Sequence, residues 1–186
     1  MRIISGTLKG KKILSQEGQD TRPTSDKNRQ SLFNIICHNY FSQNLTGVSV
    51  LDIFAGSGAL GLEALSRGAL KACFVENNKK ALYYINENIK NCRLEKQSEI
   101  IKSDATNLAN LKNECFSLIF IDPPYHKNLI EPTLNNLIKN HFINNETILV
   151  IETAKDESIN LPENGIIDDQ RSYGITKFSF MKIKSF

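Results

Sequence analysis

The sequence predicts an α/β fold built on a doubly wound, mostly parallel sheet, and three observations predict it. From residue 48 onward, short apolar runs alternate with longer segments of helical period. The runs are nearly continuous in apolar residues, as strands covered by helices on both faces must be. The first run passes at once into a glycine-rich turn, the arrangement that brings backbone close to a ligand at a strand end.

Taken in order, residues 48–54 form the first apolar strand, and a helix is expected from about 59 to 67, stopped by Gly68. Residues 72–76 are a short strand. Residues 79–91 are amphipathic, with Leu82, Ile85 and Ile89 on one face. A third strand at 99–102, a short helix at 105–111, a fourth strand at 116–121, a helix at 129–140 and a fifth strand at 147–152 continue the alternation. Beyond Pro162 and Gly165 the character changes. Residues 175–184 alternate apolar and polar, which reads as a half-buried or edge strand with lysines guarding the edge.

The segment before residue 48 differs. Residues 2–7 and 11–14 read as two short strands joined by a turn at Lys9-Gly10, a basic hairpin. A polar loop with Pro23 follows. Thr24 or Ser25 can cap a helix that carries Leu32, Phe33, Ile35, Ile36 and Tyr40 to about residue 41. The chain is thus expected to divide into a basic hairpin and loop at 1–23 and an α/β domain at 24–186.

At 186 residues the chain suits one domain with a small appendage. No apolar run approaches the roughly 18 residues of a membrane span, and the first residues lack the apolar stretch of a signal peptide, so a cytoplasmic protein is expected. Cys37, Cys73, Cys92 and Cys115 form no C-x-x-C pair, and His38, His126 and His141 complete no zinc pattern. Reduced structural thiols and no metal are expected. The net charge of +3 is unevenly placed. Residues 1–29 hold seven cationic and three acidic side chains, a net of +4, which leaves −1 for the rest. A basic end on a near-neutral body is a footprint for a polyanion, with Arg2, Lys9, Lys11, Lys12, Arg22 and Arg29 as its candidate contacts.

The glycine loop selects among cofactors. Gly56, Gly58 and Gly61 spell G-x-G-x-x-G, which invites a dinucleotide. Asp52, however, lies just before the loop. Its carboxylate would repel a pyrophosphate but would tolerate a cationic sulfonium and an amino-acid ammonium. Phe54, Gly56, Ser57 and Gly58 then form the loop itself. Glu76, with Asn77 beside it, ends the second strand, where an acid accepts hydrogen bonds from ribose hydroxyls. Asp104, with Ala105, follows the third strand and is placed for an adenine amino group. Three acids at the carboxyl ends of three successive strands point to a nucleoside with a cationic appendage, S-adenosylmethionine, whose product is S-adenosylhomocysteine.

Asp122-Pro123-Pro124-Tyr125, directly after the fourth strand, indicates the acceptor. The lone pair of an exocyclic base amine is delocalised into its ring and is a poor nucleophile. Hydrogen bonds to both amino hydrogens, one to the Asp122 side chain and one to the Pro123 carbonyl, favour a more pyramidal and more nucleophilic nitrogen. Pro123 and Pro124 stiffen the loop, and positioning matters in an in-line displacement. Tyr125 offers a stacking face to a base. His126 reads as a surface-loop histidine.

These motifs resemble those of Rossmann-like methyltransferases acting on base amines. More closely, the chain resembles the RsmD family, bacterial 16S rRNA (guanine-N2)-methyltransferases. The likeness rests on residues 1–6 with Lys9-Gly10-Lys11-Lys12, on residues 21–26 with Arg29, and on Ser31-Leu32-Phe33-Asn34. It continues through the run from Leu51 to Ala69, Val75-Glu76, and Asp122 to Tyr125. It implies a seven-stranded sheet with an antiparallel last strand and an N-terminal RNA-binding hairpin; separately, a monomer is expected. The implied substrate is a guanine of 16S rRNA within the small subunit or a late assembly intermediate. Asn77 and Gln30 stand where the family often has acids. Other readings are an amino methyltransferase acting on another RNA or on DNA adenine, a nucleotide-binding oxidoreductase, and a non-catalytic RNA-binding module. The last two leave Asp-Pro-Pro-Tyr or the glycine loop unexplained. The first, in its DNA form, lacks an obvious target-recognition domain.

Overall fold

The apolar runs pair side by side into one sheet. The computed structural model describes residues 1–15, 25–108 and 115–184. Among them seven strands are β1 (Ser49–Ile53), β2 (Lys71–Glu76), β3 (Ser98–Lys102), β4 (Leu118–Ile121), β5 (Ile148–Ala154), β6 (Gly165–Tyr173) and β7 (Thr176–Ile183). Their spatial order is β3-β2-β1-β4-β5-β7-β6. The first five run parallel, and β7 lies antiparallel to both β5 and β6. The chain builds outward from β1 in one direction through β2 and β3, then returns to place β4 on the other side. That reversal opens a crevice at the carboxyl ends of β1 and β4, where ligands bind in sheets of this kind.

Strand alternation splits the core into two layers. Val50, Phe74, Phe120 and Val150 face one layer, shared with helices α1 (Asp26–Ile35), α2 (Ala59–Ser66) and α3 (Lys79–Cys92). Leu51, Val75, Ile119, Ile121 and Ile151 face the other, where α4 (Ile130–Lys139) contributes Ile130, Leu134 and Leu137. Ser25 caps α1 by accepting from the Asn28 N–H, and a π-helical turn, Ile36–Tyr40, extends it. Asn78 caps α3, accepting from the N–H groups of Lys80 and Ala81 at 2.9 and 3.2 Å.

Three expectations are corrected. The N-terminal hairpin is much shorter than two strands: its ladder is a single antiparallel bridge, Arg2 to Lys12. The backbone groups that a longer ladder would use go to α2 instead. Ile4 and Ser5 donate to the buried Glu63 carboxylate at 2.7 and 3.1 Å, and Thr7 and Leu8 donate to Ser66 at 2.8 and 3.0 Å. Ile3 and Ile13 sink into the α1–α2–α3 layer, so the arm is seated on the domain rather than appended to it. Second, β7 is interior and β6 is the edge. The lysines of β7 do not guard an edge: Lys182 lies over the Tyr40 ring and Lys177 donates to the Glu157 carbonyl. Third, the helix expected from residue 105 is a 3-10 turn, Ala105–Asn107; residues 109–111 lie outside the described part.

Candidate functional site

Where β1 ends, the backbone turns through left-handed conformations. Phe54, Gly56 and Gly58 have φ of 61°, 57° and 78°. The bulky Phe54 is strained there, as residues at ligand sites often are. A Cβ on Gly56 would meet only the Phe54 carbonyl, at 3.9 Å, so the loop faces open space at that point. Gly61 is different. A Cβ there would lie 2.4 Å from the buried Phe74 ring, so glycine lets the first turn of α2 pack flush on the sheet.

The acids expected at the strand ends are all at this edge, and each already organises backbone. Asp52, 1 % exposed, accepts from the Gly61 N–H at 2.9 Å and so pins the start of α2. Glu76 accepts from Gly56 N–H through one oxygen and from the N–H groups of Asn77 and Asn78 through the other, all at 2.9 Å. It therefore braces the glycine loop from the neighbouring strand, and a carboxylate with about four acceptor positions retains capacity for a ligand hydroxyl. Asp104 caps its own turn, accepting from Thr106 N–H and hydroxyl at 2.8 Å each; these bonds hold its carboxyl below the usual range. Ala105 is buried beneath it, and the half-buried Ser57 accepts a bond at its carbonyl from Asn88.

Asp122 enters the same crevice from β4. Its N–H donates to the Ile53 carbonyl at 3.3 Å, which sets the Asp-Pro-Pro-Tyr turn against the end of β1. Pro123 is buried, Pro124 exposed and Tyr125 half-buried. The Tyr125 hydroxyl donates to Glu152 on β5 at 2.8 Å and lies 3.1 Å from the Thr176 hydroxyl on β7. His126 is exposed, its N–H on Glu157 at 3.2 Å.

The carboxyls of this crevice crowd one another. Burial, then the Glu152 and Asp52 carboxylates, push the Asp122 carboxyl well above its ordinary range. Burial pushes Asp52 up to about 7, opposed by the Gly61 bond and assisted by Glu76. A cluster of crowded carboxyls is chemically suited to a cation, and a sulfonium with an ammonium group fits it where a pyrophosphate would not. Among the described residues no group of three or more histidines, cysteines or acids is placed to hold a metal ion.

The sign of the Asp52 effect gives a first prediction. Its native value of about 7 lies above the ordinary 3.8, so the native state binds more protons between the two. The stabilising contribution is full below 3.8 and is lost as pH rises toward about 7. Asp52→Asn keeps an acceptor for Gly61 but cannot ionise. Wild type is therefore expected to lose stability relative to the variant between about pH 5 and about pH 7.5. Denaturant midpoints at both values test this, and parallel shifts in the two proteins would contradict it.

The basic set is split. Arg2, Lys9, Lys11 and Lys12 are exposed on the arm. Arg22 lies outside the described residues. Arg29 is 1 % exposed and its guanidinium is committed to the Arg2 carbonyl and to Asp26, at 3.0 Å from the carboxylate, so it holds the arm rather than displaying charge. Burial lowers its pKa.

Three further side chains matter that the sequence motifs do not single out. Glu152 sits at the carboxyl end of a strand, and the rule that selects Glu76 would also find it. Glu63, 0 % exposed, is an acid on an otherwise apolar helix face. Asn88, also fully buried, interrupts the apolar stripe of α3; it bonds both backbone groups of Leu14, at 2.7 and 2.8 Å, and the Ser57 carbonyl at 2.9 Å.

Known proteins share this architecture. Residues 1–182 match the family described as Conserved hypothetical protein 95. The chain is 37% identical over 163 residues to the ribosomal RNA small subunit methyltransferase D of Buchnera aphidicola subsp. Acyrthosiphon pisum, covering 87% of this chain and 82% of that one. To the protein of the same name from Haemophilus influenzae it is 34% identical over 181 residues, with 96% and 91% covered. Among solved structures, that of the Escherichia coli protein yhhF, provisionally named a methyltransferase, superposes with a TM-score of 0.84 at 28% identity, covering 100% of this chain and 99% of that one.

Proposed function

The chain belongs to the Conserved hypothetical protein 95 family, the RsmD family of ribosomal RNA methyltransferases, and on that premise we propose that it methylates the N2 amine of a guanine in 16S rRNA, using S-adenosylmethionine. The observation that carries the reading is the position of Asp122 to Tyr125. The turn is bonded to the end of β1, one strand-width from the glycine loop, at the reversal point of the sheet. A base amine held there meets the cofactor loop directly.

When bound, S-adenosylmethionine supplies an electrophilic methyl group on a sulfonium. The protein's part is to hold and orient. Asp52 and Glu76 fix the loop that receives the nucleoside, and Glu76 takes a ribose hydroxyl. Asp122 and the Pro123 carbonyl accept the two amino hydrogens, while the strand-anchored turn keeps the nitrogen aimed. Asn77, Asp104 and Ala105 line the nucleoside side of the edge. The amine loses its proton readily once methylated, so no strong base is required.

The direct test is transfer of tritiated methyl from S-adenosylmethionine to small ribosomal subunits of a strain lacking the enzyme, followed by nucleoside analysis. N2-methylguanosine is expected. Label in a different nucleoside would overturn the base assignment, and no label would overturn the donor or the substrate. The same preparation tests the cofactor contacts. Glu76→Ala removes an acceptor and the brace on Gly56, and should weaken S-adenosylmethionine binding by roughly 1–3 kcal/mol, with Asp104→Ala smaller. Calorimetry showing wild-type affinity in both variants would exclude these roles.

The arm is the RNA-binding element in this reading. Every lysine–phosphate pairing removed should flatten the salt dependence of RNA binding by roughly 0.7–0.9 in log–log slope. Replacing Lys9, Lys11 and Lys12 with alanine should therefore weaken substrate binding and flatten its salt curve, leaving the fold and the cofactor affinity unchanged. Superimposable salt curves for the two proteins would return these lysines to ordinary solvated surface.

A further inference from the structure

Tyr125 is tied at its far end to two strands that carry none of the expected site residues. Its hydroxyl donates to Glu152 Oε1 at 2.8 Å, and Thr176 Oγ1 stands 3.1 Å away. Glu152 is on β5 and only 5 % exposed. Thr176 opens β7, paired with Ala154 at the end of β5, and the Lys155 N–H to Ile175 carbonyl bond closes that corner at 2.7 Å. The tyrosine of a surface turn is thereby clamped to the rigid sheet through its polar end, while its neighbour Asp122 is fixed through the backbone to β1.

We propose that Glu152 and Thr176 are positioning residues, whose bonds to the Tyr125 hydroxyl lock the ring of the Asp-Pro-Pro-Tyr turn in its base-holding orientation before the base arrives. The proposal rests on the reading of Tyr125 as the face that receives the target base. The chemistry favours it on three counts. A turn of four residues with its prolines at the centre is stiff near Asp122, but the tyrosine side chain keeps two free torsions, and a ring that must be ordered on binding loses part of its stacking energy. A buried carboxylate is a strong acceptor for a phenol, stronger than a neutral group. Finally, the two anchors come from β5 and β7, so the antiparallel strand added beyond the parallel five has a use at the site: it closes one side of the crevice and holds the turn.

The experiment compares Tyr125→Phe, Glu152→Ala, Glu152→Gln and the double variant Tyr125→Phe/Glu152→Ala in steady-state methyl transfer to small subunits. Tyr125→Phe keeps the ring and loses the anchor. It should lower kcat by about tenfold, a misplacement effect, with the KM for S-adenosylmethionine within about threefold. Glu152→Ala removes one of the two anchors and leaves Thr176, so it should lose part to most of the same kcat, and the double variant should be no worse than Tyr125→Phe, which already lacks both bonds. Glu152→Gln keeps an acceptor for the phenol and should recover most of the missing kcat. Thermal stabilisation by S-adenosylhomocysteine confirms that each variant is folded. Wild-type kcat in Tyr125→Phe, additive losses in the double variant, or no recovery with Glu152→Gln would each overturn the proposal. A wild-type enzyme that methylates nothing would instead overturn the functional reading on which it rests.

Discussion

Asp122→Ala is expected to abolish methyl transfer while leaving the fold intact and the affinity for S-adenosylmethionine within a few-fold. In the proposed reading the Asp122 carboxyl accepts one amino hydrogen and the Pro123 carbonyl the other, so removing the carboxyl leaves the first without its partner. The loss should therefore appear in turnover rather than in cofactor binding. The effect on stability has the opposite sign. Burial and the Glu152 and Asp52 carboxylates all press against an ionised Asp122, so the native state carries a cost for keeping it. Removing it relieves that repulsion, and at neutral pH the variant should unfold no more easily than wild type. A site whose central residue can be removed without loss of stability is shaped for chemistry rather than for folding. Retention of more than about a tenth of wild-type turnover would show that Asp122 is not the amine's partner, since one such bond is worth more than that factor.

How much of this is legible in the sequence follows from what kind of physics each feature obeys. The parallel strands are readable because burial on both faces demands an apolar run, and β1, β4 and β5 are buried almost throughout. β6 escapes notice for the converse reason. As an edge strand it buries one face lightly, its residues Gly165–Tyr173 are mostly polar, and a bulge between Ile167 and Asp169 interrupts the period-two signal. β7 is visible as a strand but not as an interior one, because alternation reports one polar face and cannot say whether another strand lies beside it.

The site shows the same division. Glycine loop and Asp-Pro-Pro-Tyr are local in sequence, and their spacing relative to strand ends is visible. The contacts that seat one segment on another are long-range: Glu63 meets Ile4 and Ser5 across 59 and 58 residues, Asn88 meets Leu14 across 74, and Tyr125 meets Thr176 across 51. A buried acid on a helix signals that some donor must reach it, but not which one. Arg29 is misleading on this ground. Read as charge it belongs with the lysines, whereas its guanidinium is spent on the Arg2 carbonyl and Asp26.

Gly6→Ala is the sharpest test of how the arm is held. Gly6 adopts φ of +81°, and a Cβ there would lie 1.8 Å from the Ser66 carbonyl oxygen and 2.3 Å from its carbon. The obstacle is helix backbone at the end of α2, which cannot step aside as a flexible side chain could. The left-handed conformation costs an alanine roughly 1–2 kcal/mol, and overpacking against a fixed wall typically another 1–3. The cheaper response is for the tip to lift. That breaks the Thr7 and Leu8 bonds to Ser66 and the Ser66 hydroxyl bond to the Ser5 carbonyl, and it draws Ile4 and Ser5 away from the buried Glu63 carboxylate. Glu63 would retain Arg67, at 2.7 Å, but lose two donors in a dry site. The variant should be destabilised by about 3 kcal/mol, and it should bind ribosomal substrate more weakly because its lysines are no longer presented from a fixed base. S-adenosylhomocysteine affinity, read on the fraction that remains folded, should hold, since the glycine loop leads into the N-terminal end of α2 and Ser66 is at its other end. The lysine triple variant separates the two roles of the arm: it should lose RNA affinity with stability unchanged, while Gly6→Ala should lose both. Unfolding midpoints and substrate affinities of the two variants side by side decide the matter, and a Gly6→Ala protein as stable as wild type would mean that the arm does not rest on α2.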